Sequence, residues 1–391
     1  MPHQRTRSIL KTLEKRLRLF PVVGVLGARQ TGKSTLLREL LPALRSIHYV
    51  TLDRLENRTE ANERPSLFLQ GLEDGSVQTV CIDEAQKAPP LFDTLKAEVD
   101  EKKRPGRFAL SGSTEFSKKT GIHEALTGRI ALLRLFPLNI SEIENQKSMS
   151  DRLLSSKNLK KGVSPCLKAV KQWFQCGGMP GIFAIREEAN RRALFEAWIE
   201  TTCTRDLAQF RIPRFDPELA LKILEAMATE EVPNQLGIAR KCGRLPRQIE
   251  PYLEAFQALF VVYKVPPYPT GTGKPLFHLF DAGIAKTLGA SAERCMEGWF
   301  LNECYSQFSA AGKALPRIHH YVSSRGSRVH FVVEQREETY AVCLSNQEAQ
   351  STYSLRAARS FSAKHPKVPV FVMAPALESH ALEKNIRIVP W

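Results

Sequence analysis

An α/β protein that opens on a parallel sheet and continues into smaller modules is the fold class this sequence predicts. Three observations lead there. Over residues 1–145, short apolar runs alternate with helical patterns, as buried parallel strands and their crossover helices do. A glycine-rich turn separates the first such strand from the first strong helix. Beyond residue 145 the pattern changes twice, to helix-rich near 216 and back to mixed helix and strand near 281. A chain of 391 residues, at about 100–200 per domain, has room for these modules.

The strand-like runs are 20–27, 48–53, 79–83 and 107–113. Ser34 to Leu44 reads as a helix, with Leu36, Leu37, Leu40, Leu41 and Leu44 on one face. Residues 146–171 are polar, with seven Lys/Arg against Asp151 and with Gly162, Ser164 and Pro165, and read as a linker or mobile basic segment. The segment 172–183 supplies a Gly/Pro turn, and Glu188 to Phe210 a long helix. Three helices follow, at Pro217–Thr229, 235–243 and 245–260. In the third, Leu245, Ile249, Leu253, Phe256 and Phe260 keep helical spacing despite Pro251. Two β runs about a Pro/Gly turn then complete the order of a winged helix-turn-helix. From 283 onward a helix around Met296 to Ala310 precedes four strand-like runs. The expected divisions are 1–145, 146–215, 216–280 and 281–391.

Composition narrows the functional classes. A hydrophobic fraction of 43% belongs to a chain with cores to bury and excludes a mostly disordered one. No apolar run reaches the roughly 18 residues needed to span a bilayer, and the charged N-terminus does not read as a secretory signal. The 8 cysteines are scattered without a CxxC pair, as expected of reduced thiols in a cytoplasmic protein. The net charge is +15: residues 1–145 carry 23 basic and 18 acidic side chains, the remainder 33 and 23. That surplus suits a polyanionic partner, nucleic acid first and acidic lipid second.

The chemistry starts at Gly27-Ala28-Arg29-Gln30-Thr31-Gly32-Lys33-Ser34, with Thr35 beside it, which fits GxxxxGK[ST] between a strand and a helix. Gly27 and Gly32 permit the tight loop that aims backbone N–H groups at phosphate oxygens, and the helix adds the positive end of its dipole. Lys33 is expected to neutralise the β/γ-phosphates and Ser34 to ligate Mg²⁺. The run Val80-Cys81-Ile82-Asp83-Glu84 is an apolar strand ending in two carboxylates. Asp83 is expected on Mg²⁺, and Glu84 as the group that positions or deprotonates the attacking water. Ser111 and Ser113, at the tip of the strand before Thr114, both qualify as nucleotide sensors, beside the plainer role of capping the next helix. Arg129, after Leu126-Thr127-Gly128, is either an arginine finger, in cis or reaching a neighbouring subunit, or an ordinary surface arginine.

Taken in order, GARQTGKSTLLREL, VCIDEAQKAPPLFDTLKAEVD, GRFALSGSTEF and EALTGRIALLRLFPLNISE resemble a bacterial and archaeal family of AAA-type P-loop ATPases with a C-terminal domain of unknown function. The GGMPGI turn, Thr204-Arg205-Asp206 and KPLFHLFDAGIAKTLG resemble the region following the ATPase part. The resemblance implies an ATP- and Mg²⁺-dependent AAA-like ATPase, a winged helix and a terminal PD-(D/E)xK nuclease-like fold, working as a homo-oligomer for which a hexameric ring is one form. The terminal part departs from the nuclease pattern. Its helix offers Glu297 and Glu303, but His330 stands where Asp is expected, and Cys343 and Ser345 where Glu and Lys are expected. Mg²⁺ prefers carboxylate oxygens, so cleavage chemistry is not expected; two softer ligands, His330 and Cys343, are too few for Zn²⁺. Arg240, Lys241, Arg244 and Arg247 gather at the start of the third module helix, the part of such a helix that approaches a DNA groove. The expected function is an ATP hydrolase that binds DNA and couples turnover to remodelling in repair, recombination or branched-DNA processing. The alternative is a signalling switch or scaffold whose C-terminal modules bind proteins.

Overall fold

The computed structural model describes residues 5–73, 75–115, 128–145, 151–160, 167–336, 338–346, 352–375 and 378–390. Phe116, Leu126, Thr127, Cys166, and positions 146–150 and 161–166 of the basic stretch, lie outside the described residues.

The first layer is a five-stranded sheet of β1 (Val22–Leu26), β2 (Ile47–Thr51), β3 (Thr79–Asp83), β4 (Phe108–Gly112) and β5 (Ile130–Arg134), in the order β2-β3-β4-β1-β5 with every pair parallel. β1, β3 and β4 are buried along their whole length, which is why each reads as an uninterrupted apolar run. β5 was not among the expected strands. It is a half-exposed edge strand, and its run IALLR does not by itself distinguish strand from helix. The sheet is covered by α1 (Leu10–Leu17), α2 (Lys33–Thr35, continuing as wider and then tighter helical turns to Ala43), α3 (Leu55–Glu63), α4 (Pro65–Leu72) and α5 (Pro90–Glu101). In-register parallel pairing brings Leu26, Asp83 and Gly112 to one edge, where an α/β sheet places its ligand site.

A helical layer follows: α6 (Ile140–Glu144), α7 (Ser156–Lys160), α8 (Leu167–Cys176), α9 (Pro180–Phe183) and α10 (Glu188–Thr201), the last running on in wider turns through Asp206. The linker reading fails for residues 151–160. Leu153, Leu154 and Leu159 are buried, Leu153 N–H donates to Gln307 Oε1 (2.7 Å), and Glu338 accepts from both Ser156 N–H (2.9 Å) and its hydroxyl (2.7 Å). Three leucines inside a lysine-rich stretch are enough to dock it onto the last sheet.

Next come α11 (Pro217–Thr229), α12 (Gln235–Lys241), α13 (Pro246–Ala258) and the antiparallel pair β6 (Val262–Val265) and β7 (Leu276–Leu279), with Asn234 bridging to Leu276. Two positions of the expected apolar stripe fall outside α13. Leu245 caps its start and is exposed, and Phe260 lies past its end with φ +61°. The stripe that packs is Ile249, Tyr252, Leu253 and Phe256. After α14 (Ala282–Thr287) and α15 (Ala292–Ala310) come β8 (Arg317–Val322), β9 (Arg328–Glu334), β10 (Thr339–Leu344), α16 (Thr352–Lys364), β11 (Val370–Ala374), β12 (His380–Glu383) and β13 (Ile386–Pro390). These form a six-stranded mixed sheet, β12-β13-β11-β10-β9-β8, antiparallel from β8 to β10 and parallel from β10 through β11 to β13. No helix among the described residues is long and apolar enough to cross a membrane.

These layers are fused rather than strung together. One continuous apolar cluster runs from Val22 to Val389 through all of them. Its axle is α15, of whose 19 residues 14 are buried, so the helix has protein on nearly every side. It is not amphipathic, as expected of a helix buried all round. Polar groups on α15 therefore bond to its neighbours. Ser309 donates to Arg134 O (2.6 Å), and the Glu303 carboxylate accepts from Ile140 N–H (3.0 Å) and from Gln307 (2.8 Å). Burial pushes the Glu303 carboxyl up from about 4.5 to about 7. A raised carboxyl favours the folded state when protonated, so its contribution is whole below pH 4.5 and lost as pH rises through 7. At ~1.4 kcal/mol per unit, the loss is about 3 kcal/mol. Glu303→Gln is expected to flatten the fall in unfolding free energy between those pH values, read by denaturant titration at each pH.

Candidate nucleotide site

The loop after β1 is shaped by its two glycines. A Cβ on Gly27 would collide with the carbonyl oxygen of Leu135, and Gly32 sits at φ +94° with Arg7 and Pro180 against it. Gln30 takes the left-handed region too, at φ +63°, and Thr31 Oγ1 ties the loop back to Ala28 O (2.8 Å). Lys33 opens α2 and is buried. Its Nζ donates to Gly27 O (3.0 Å) and Ala28 O (2.9 Å), so the ammonium lies inside the curve of the loop. Burial lowers its pKa, and the carboxylates of Glu84 and Asp83 act against that. Arg7, which no motif in the sequence singles out, braces the loop from outside. It donates to Thr31 O and Phe136 O (both 2.6 Å) and pairs with Glu142 (3.2 Å).

At the end of β3, Asp83 is buried and accepts from the Tyr49 hydroxyl (2.6 Å) and from the Ser111 hydroxyl. Tyr49 also hydrogen-bonds the Ser34 side chain, which joins Ser34 and Asp83 through one phenol. Burial, together with Asp83, raises the Tyr49 pKa, so the phenol stays a donor. Glu84 has φ +56°, a conformation costly for a non-glycine residue and typical of functional sites. Its Oε2 accepts from Ser113 (2.9 Å) and from Gln86 Nε2 (2.5 Å). The two serines left open by the sequence take different parts: Ser111 donates to Asp83 and accepts from the Glu84 backbone N–H (3.2 Å), while Ser113 donates to the Glu84 carboxylate. Gln86 joins that network without having been expected. Its Oε1 is buried without a protein partner.

Arg129 stands at the other end of the sheet. It precedes β5, whose first residue is level with Val22, so the length of β1, about 16 Å, separates it from the edge where the loop lies. There it pairs with Asp100 (2.6 Å), so of the three roles open to it, an arginine finger on the loop of its own chain is the one not met. Arg29 points away from the loop's interior to Asp206 (3.2 Å), the acid that also takes Arg205. Thr35 sits in α2, one residue beyond Ser34.

The remaining candidates lie elsewhere. Arg244 and Arg247 are exposed at the start of α13, while Arg240 pairs with Glu230 (3.2 Å) and Lys241 bonds the Thr229 hydroxyl (2.6 Å) within their own module. In the last sheet, the pairing of β8 with β9 shifts register opposite His330. His330 Nδ1 accepts from Leu344 N–H (3.1 Å), and its Nε2 approaches Glu293 of α15. Cys343 instead packs with Ala358 and Phe361 of α16. The pair therefore does not converge, and no group of three or more metal-ligating side chains occurs among the described residues. Glu297 is buried between Arg294, Arg328 (2.5 Å) and His278 (3.4 Å). Burial works to raise its pKa, but the Arg328 and Arg294 guanidiniums hold it down to about 2.

Residues 19–144 match the family described as "AAA domain", and residues 167–294 match a domain of unknown function, DUF8612. Uncharacterized proteins of Mycobacterium bovis and Mycobacterium tuberculosis are each 29% identical over 296 residues, 72% of this chain and 59% of their own length. The chain thus spans about 59% of the curated relatives it matches. Among solved structures, a Walker-type ATPase of Pyrococcus abyssi aligns with 73% of this chain and 98% of its own, at 16% identity and a TM-score of 0.46.

Proposed function

From an AAA-type P-loop domain joined to a domain of unknown function, we propose that this chain is an Mg²⁺-dependent ATP hydrolase that binds DNA and couples turnover to its remodelling. The observation that carries the reading is the gathering of Lys33, Ser34, Asp83, Glu84 and Ser113 at one sheet edge. The residues fit the metal. Ser34 and Asp83 offer hard oxygens linked through Tyr49, and a carboxylate that accepts two hydrogen bonds keeps lone pairs to spare. Bound there with ATP, Mg²⁺ would neutralise charge on the phosphates. Lys33 supplies a second positive charge from inside the loop. Glu84, oriented by Ser113 and Gln86, takes the proton of the attacking water. Arg129, bound to Asp100 at the far end of its own sheet, is remote from this site, so it is either an ordinary surface arginine or one that serves a neighbouring subunit of a homo-oligomer.

The C-terminal reading has its own support. α11, the Asn234 bridge, α12, α13, β6 and β7 follow the order of a winged helix. The order α15-β8-β9-β10-α16-β11 resembles a nuclease-like core. Carboxylate Glu297 is saturated by two arginines and His330 is turned toward Glu293, so purified protein with Mg²⁺ or Mn²⁺ is expected to leave DNA uncut. Cutting that disappears in Glu303→Ala would overturn this.

DNA binding is tested by changing Arg240, Lys241, Arg244 and Arg247 together to Ala. Affinity for every sequence is expected to fall alike. The slope of log affinity against log salt should flatten by about 0.9 for each phosphate no longer neutralised, while turnover without DNA persists. The engagement of Arg240 and Lys241 within their own module favours a second reading, a switch whose C-terminal modules bind protein. ATP turnover indifferent to DNA at low salt would select it.

A further inference from the structure

The helix α8 has two faces. Ala169, Val170, Trp173 and Cys176 are buried, while Lys168, Lys171, Gln172 and Gln175 share the other side at helical spacing. That side lines an open groove of about 890 Å³, completed by Arg5, Phe183, Arg186 and Arg191. Five cations and two carboxamides meet there, and no described carboxylate lines the groove. Two of the cations are held in place by backbone carbonyls, which leave their charge intact. Arg5 donates to Ile143 O (2.6 Å) with its guanidinium over the Phe183 ring, and Arg191 donates to Ile185 O (2.8 Å) and Arg186 O (2.7 Å). Glu188, the acid one turn before Arg191, is paired instead with Lys286 (2.7 Å).

We infer that this groove holds the phosphodiester backbone of a nucleic-acid strand. The proposal rests on the DNA-binding reading above and adds a place for the strand that the winged-helix argument does not supply. The spacing suits it. From Lys168 to Gln175 a helix rises about 10 Å, room for about two successive phosphates along a strand's backbone. Cations beside amide groups that both donate and accept are what backbone and sugar recognition uses. A concave set of charges, two of them fixed, fits a strand better than it fits a flat lipid surface. The groove also adjoins the nucleotide loop, because Pro180 at the start of α9 packs against Gly32. A strand lying here would therefore be within one helical turn of the element that handles phosphate.

The test uses the full chain and a labelled oligonucleotide, single-stranded and duplex, over a salt series. Lys168→Glu with Lys171→Glu is expected to weaken binding by about 10- to 100-fold and to lower the salt slope by about 1.8. Lys168→Arg with Lys171→Arg should bind as the wild type does. Both side chains are exposed, so unchanged ATP affinity and melting temperature should accompany the weaker binding. Binding that survives the charge reversal overturns the groove, and its loss when Arg240, Lys241, Arg244 and Arg247 are changed to Ala would leave DNA binding standing on the winged-helix module. Absence of wild-type binding to either oligonucleotide overturns the DNA reading itself. Binding of polyglutamate or anionic vesicles but not oligonucleotides overturns the nucleic-acid assignment and gives the groove to another polyanion. Loss of ATP affinity in the charge-reversed protein would make the groove part of the nucleotide site, and would equally overturn the proposal.

Discussion

Lys33→Ala is expected to lose ATP binding and turnover together while remaining folded. The ammonium is buried inside the loop with two backbone carbonyls as its hydrogen-bond partners, so its removal takes the positive charge from the inside of the loop. Deleting a group that stabilises charge in the transition state typically costs about 10²–10³-fold in rate, and this one also contributes to ground-state binding. Turnover should therefore fall by at least about 10²-fold, with nucleotide affinity falling beside it. Stability should move the other way or not at all, because a buried charge is expensive to keep desolvated. Nucleotide titration, phosphate release and a thermal melt without nucleotide together check this. Near-wild-type affinity and hydrolysis would remove the phosphate-binding role of the loop.

Glu84→Gln should separate what Lys33→Ala joins. The amide keeps the shape, and its oxygen can still accept from Ser113 and Gln86, while Asp83 keeps both of its hydroxyl partners. What disappears is the base. A general base contributes typically about 10²–10⁴-fold, so turnover should fall by about that factor with ATP affinity close to wild type. Ser113→Ala should show a smaller loss of the same kind, since it releases one rotamer of Glu84 without removing the carboxylate. Parallel loss of affinity and rate in Glu84→Gln would instead give this residue a structural role, which its left-handed backbone would then explain.

Much of this site was legible because it is local. The glycines, Lys33, Ser34, Asp83 and Glu84 lie in two short runs whose spacing carries the chemistry. What brings support to them does not lie nearby in sequence. Tyr49 reaches Asp83 across 34 positions and Arg7 reaches Phe136 across 129, and neither type in its own neighbourhood signals a partner. The choice between Ser111 and Ser113 was likewise beyond the sequence, since alternate residues at a strand end differ only in which neighbour they face. Periodicity found the buried strands β1, β3 and β4 and missed the half-exposed β5, and with it the fact that Arg129 begins at the wrong end of the sheet. Composition misread residues 151–160, where lysines outnumber three leucines that decide the packing.

The burial of α15 on nearly every side has a consequence for the order of synthesis. The first sheet and α6 lean on a helix made much later: Thr12 donates to Ala310 O, Arg16 to Gly312 O (3.0 Å), and Ile140 to Glu303, 163 positions ahead. At about 5–20 residues per second, a ribosome needs roughly 10–30 s to cover that distance. For that interval the emerging first sheet has one surface without its native cover. A nascent chain stalled before residue 292 should therefore be cut readily by protease within its first 145 residues, and one stalled far enough past residue 312 for α15 to have left the ribosome should not.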